Sequence, residues 1–121
     1  MAWTNPLFLI PAIIGVVCIA MGVIMRKYPP KQINYLYGYR TAQSMMSQER
    51  WEFAQQYAAS VFLKWGALLS LIALLGLVLK IGEAIGLAIG LLIGIAFVAI
   101  PWMLTERALK ERFGETKVKN L

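Results

Sequence analysis

The chain has 121 residues, 60% of them apolar and 15% charged, with a mean hydropathy of +0.65. Soluble domains lie nearer half apolar and a quarter charged, so lipid is the expected solvent for most of what reads as one domain. The formal charge is +6, from 12 Lys and Arg against 6 Glu; with no Asp and no His, zinc sites and the usual nucleophilic triads are not available.

The first apolar run, residues 7–25, carries no charge and is close to the roughly 20 residues a helix needs to cross about 30 Å of hydrocarbon. Asn5 followed by Pro6 suits a helix start, Pro11 is expected to bend its first half, and Arg26-Lys27 before Pro29-Pro30 ends it. The leading Met-Ala-Trp-Thr-Asn lacks the positive region of a secretory signal, so this span is expected to be a retained anchor. Cys18, the single cysteine, excludes an internal disulfide and reads as a small packing residue.

Residues 26–57 are polar and aromatic. Gly38 between two tyrosines suggests a tight turn or a close backbone approach. Arg40 lies among Tyr35, Tyr37, Tyr39 and Thr41, where a guanidinium can stack on rings and bind a phosphate or carboxylate; gripping lipid phosphate is the plainer alternative. Ser47 is a good N-cap, with Glu49 in the first turn. Trp51, Ala54, Ala58 and Val61 then recur at helical spacing, which predicts an amphipathic helix running into the second span.

That second span is expected over 58–79 and the third over 84–104, joined by the short link 80–83 as an antiparallel hairpin. Lys64 near the edge of the second span is expected to snorkel, and Trp3, Trp65 and Trp102 fall near expected interfaces. Pro101 should kink the exit of the third span. Residues 105–113 then read as a short solvated helix, with Glu106 and Lys110 paired at i,i+4 and Gly114 as its stop. Residues 115–121 are expected to fray. The fold class is therefore all-α: three transmembrane helices, with a cytoplasmic amphipathic helix leading into the second.

Gly82, Gly86, Gly90 and Gly94 form a stripe on the third span. The stripe suits close approach of another helix of the same chain, or of a second copy in a homo-oligomer. Weaker stripes are Gly15, Cys18 and Gly22 on the first span and Gly66, Ser70 and Ala73 on the second. Five cations lie in the first loop (Arg26, Lys27, Lys31, Arg40, Arg50), one in the 80–83 turn (Lys80), and five more from Arg107 onward. The positive-inside rule then puts the N-terminus outside, and the first loop and C-terminus in the cytoplasm. Because the cations cluster beside apolar runs, anionic lipid heads are expected partners and nucleic acid is not.

Asn34, the run Tyr37-Gly38-Tyr39-Arg40-Thr41, Ser44, Ser47, Trp51 and Ala54, followed by a membrane hairpin, together resemble the SdpI family of small bacterial membrane proteins. The family is named for the immunity protein against a sporulation-delaying toxin. The resemblance covers roughly 31–104 and the C-terminal half of longer members, with Ala42 standing where the family has a proline. It implies the bacterial cytoplasmic membrane and protection by interaction with a peptide toxin or its target. Asn34, Gly38, Tyr39, Arg40, Thr41, Ser44 and Trp51 are then the candidate binding residues. A scaffold that sequesters a cytoplasmic regulator is the alternative, and a small oligomeric transporter a third. No catalytic residue, metal or cofactor is expected.

Overall fold

The computed structural model describes residues 2–114, all-helical in its regular elements. After a single 3-10 turn at Ala2–Thr4 come α1 (Pro6–Lys27), α2 (Gln48–Leu75) and α3 (Glu83–Phe113), each long and apolar enough to cross a membrane. The residues between α1 and α2 form one end of the bundle, the loop end. The α2–α3 turn and the start of α1 form the other, the hairpin end. The fraying expected over 115–121 lies outside the described residues.

The helix starts follow local chemistry. The Asn5 side chain accepts from the Leu7 amide at 2.9 Å, with Pro6 in the first turn, where a missing N–H costs nothing. Ser47 caps α2 by accepting from the Arg50 amide at 3.1 Å. From Gln48 to Leu75 α2 is one uninterrupted helix of 28 residues, so the stretch around Trp51 does continue into the second span.

Small residues set how closely the helices approach. A Cβ on Gly66 would come within 2.8 Å of the Cys18 Cβ, and one on Gly22 within 2.8 Å of the Ala59 carbonyl oxygen. The two weaker stripes thus face each other across α1 and α2. On α3, Gly86 lies against Asn5, the N-cap of α1, and Gly90 and Gly94 against Pro6 and Ile14 of α1, so their groove is filled from within the chain. Gly82 faces open space and is exposed.

Two boundaries differ from the sequence expectation. α2 stops at Leu75 rather than Leu79. Pro11 deprives the Leu7 carbonyl of its helical donor, and that carbonyl group lies against Gly76, which caps α2. α3 in turn runs on through Pro101 to Phe113, so residues 105–113 are its last turns and not a separate helix. The Thr105 hydroxyl donates to the Pro101 carbonyl at 2.8 Å within this continuous stretch, and Gly114 (φ 84°) ends it as expected.

Candidate functional site

The densest polar network joins the loop to α2 and α3. Trp51, with 0% of its surface exposed, donates its indole N–H to the Pro30 carbonyl at 2.6 Å and so pins the loop to the first turn of α2. Gly38 takes φ 108°, in the left-handed region, and a Cβ there would meet Gln55 Oε1 and Pro30 Cγ, each at 2.7 Å. Both the turn and the close approach read from the sequence are therefore present. The buried Gln55 amide treats Tyr39 as a neighbouring strand would. It accepts from the Tyr39 amide at 2.7 Å and donates to the Tyr39 carbonyl at 2.8 Å.

Beyond Tyr39 the chain folds onto one carboxylate. Glu106 Oε2 accepts from the Tyr39 hydroxyl at 2.6 Å and the Thr41 hydroxyl at 2.8 Å, while Oε1 accepts from Gln43 Nε2 at 2.8 Å. Thr41 and Ser44 hold each other. The Thr41 amide donates to Ser44 Oγ at 2.9 Å, and the Ser44 amide to Thr41 Oγ1 at 3.1 Å. Burial pushes the Tyr39 phenol well above its usual range, and the adjoining Glu106 acceptor and its charge push it further. Tyr39 is thus a neutral donor.

The remaining candidates lie elsewhere. The Asn34 carboxamide accepts from the Leu36 and Tyr37 amides at 2.9 and 2.7 Å, an Asx turn that forms an exposed knuckle. Tyr35 and Leu36 on that knuckle are 79% and 93% exposed. Arg40 is also exposed, and its guanidinium donates to the Tyr35 carbonyl at 2.5 Å. Gly38, Tyr39, Thr41, Ser44 and Trp51 therefore belong to a buried clamp, whereas Asn34 and Arg40 shape the surface that it carries.

Gln43, Gln55 and Glu106 escaped the sequence reading. The Glu106–Lys110 pair expected along the helix is absent, because Glu106 turns inward to its three donors. The ion pair among the described residues is instead Arg107–Glu111, at 3.3 Å and exposed. Arg50, read only as a loop cation, is buried; it donates to the Phe113 carbonyl at 3.1 Å and lies over the Phe113 ring at 5.2 Å.

Residues 31–103, which hold the knuckle, most of the clamp, all of α2 and α3 as far as Met103, match the SdpI/YfhL protein family. The chain belongs to that family. It is similar to the uncharacterized protein YfhL of Bacillus subtilis (strain 168), 38% identical over 96 residues, which are 79% of this chain and 82% of that protein. No solved structure matches. The SdpI/YfhL match stops three positions before Glu106 (103 against 106), so the carboxylate that closes the clamp lies outside the matched stretch.

Proposed function

We propose that this SdpI/YfhL member is an immunity-type protein of the bacterial cytoplasmic membrane, protecting by interaction and not by catalysis. In this reading the N-terminus is outside and the knuckle faces the cytoplasm, as the distribution of Lys and Arg favours. The protein meets a membrane-active peptide, or that peptide's target, through Tyr35, Leu36 and Arg40. One observation carries the reading: a buried clamp holds a short loop so that an apolar tip and a guanidinium stay in the open. Large exposed apolar groups on a well-anchored loop mark interaction surfaces.

The test is survival of sensitive cells challenged with a membrane-active peptide toxin. Expressing the chain raises survival, and Arg40→Ala removes the gain while leaving thermal unfolding in detergent unchanged. Equal killing with and without verified expression would refute the reading. Recovery of a soluble regulator by crosslinking at position 36, without protection, would favour a sequestering scaffold instead.

A further inference from the structure

Two hollows on the outer surface of the bundle meet at Trp102. Toward the loop end is a cleft of about 500 Å³, lined by Gln43, Trp102, Met103, Glu106, Arg107 and Lys110. Toward the middle of the span, a groove of about 370 Å³ runs between α1 and α3, bounded by Ile14, Gly94, Ile95, Val98, Ala99 and Trp102. An aliphatic slot and a cationic mouth therefore adjoin at Trp102, where α3 leaves its apolar run. That is the outline of an amphiphile with a negative head.

The charges in the mouth have room for a ligand. Lys110 has no carboxylate partner among the described residues, and Arg107 pairs only with Glu111, in an exposed bridge of the kind that contributes little. Glu106 lies in the same wall, but its carboxylate is engaged by Tyr39, Thr41 and Gln43. Gln43, 7% exposed, is itself held on that carboxylate through Nε2, so the wall behind the cations is fixed.

We propose that the groove and cleft hold one anionic phospholipid, with phosphatidylglycerol as the probe. An acyl chain lies along Gly94 and Val98, and the phosphate rests on Arg107 and Lys110. The proposal is independent of the protective reading and stands if that reading fails.

Native mass spectrometry of the full chain, released from vesicles of equal parts phosphatidylglycerol and phosphatidylcholine, reads the retained lipid directly. The wild type keeps phosphatidylglycerol in preference. Replacing Arg107 and Lys110 together by Gln lowers that preference about 25-fold, each cation near an anionic surface being worth roughly fivefold. Replacing Arg26 and Lys27 by Gln removes as much charge from the exposed end of α1 and leaves the preference intact. Quenching of Trp102 fluorescence by chain-brominated phosphatidylglycerol, taken as wild type minus Trp102→Phe, reports the groove separately. Equal retention of both lipids, no effect of the Arg107/Lys110 change, or an equal loss in the Arg26/Lys27 variant would each overturn the site.

Discussion

At the hairpin end, helices meet where side chains are missing. A Cβ on Gly76 would lie 2.8 Å from both the carbonyl oxygen of Leu7 and the amide nitrogen of Phe8, and one on Gly90 would lie 2.9 Å from the Pro6 carbonyl oxygen. At the loop end the contacts are made by side chains with polar tips: Gln55 on Tyr39, Trp51 on Pro30, and three donors on Glu106. The contrast follows from the surroundings. Between helices in lipid no water is expelled, so association rests on close backbone approach and dispersion. Where the chain leaves the hydrocarbon, buried donors must be matched, and a carboxylate can serve several of them.

The largest effect is expected from Glu106→Ala, which leaves the Tyr39, Thr41 and Gln43 donors without their acceptor. The cost is about 3 kcal/mol, with hydrogen-exchange protection lost around 39–44 while α1 and α2 stay protected. Unchanged exchange there would show that the loop end is held by something other than its polar tips. Gly76→Ala should cost about 1–3 kcal/mol in thermal unfolding, because backbone atoms, unlike a flexible side chain, cannot move aside. Exchange at Tyr39 should then be unaffected, which keeps the two ends separable.

The smallest effect is alkaline. The Tyr39 phenol is held above its unfolded value of about 10, so the folded protein binds that proton more tightly than the unfolded chain does. Its contribution is fully present below pH ~10 and declines as pH rises beyond it, by about 1.4 kcal/mol per unit. Tyr39→Phe should lose the hydrogen bond to Glu106 and also flatten this alkaline limb; a limb of unchanged slope would assign it to another group.

Hydropathy made the three spans legible, because lipid selects on composition and length. It did not show where α2 ends: residues 76–79 are as apolar as those before them, and the helix stops where α1 approaches closely at Gly76. Residues 105–113 likewise read as a short helix of their own, whereas α3 stays continuous to Phe113. Within the site, Gly38 announced a turn because a glycine between aromatic residues has few other uses. Gln43, Gln55 and Glu106 looked like ordinary solvated residues. The Gln43 and Glu106 partners are separated by 63 positions, and no local period links them.

The Tyr39–Glu106 bond also sets an order of assembly. Its two halves are 67 positions apart, so a chain emerging from the ribosome has made its knuckle long before the group that locks it exists. Until the last turns of α3 are synthesised and returned to the same side of the bilayer, the segment is held only by groups earlier in the chain, Trp51 and Gln55 among them. Completion of the hairpin is therefore the event that gives the earlier loop its final shape.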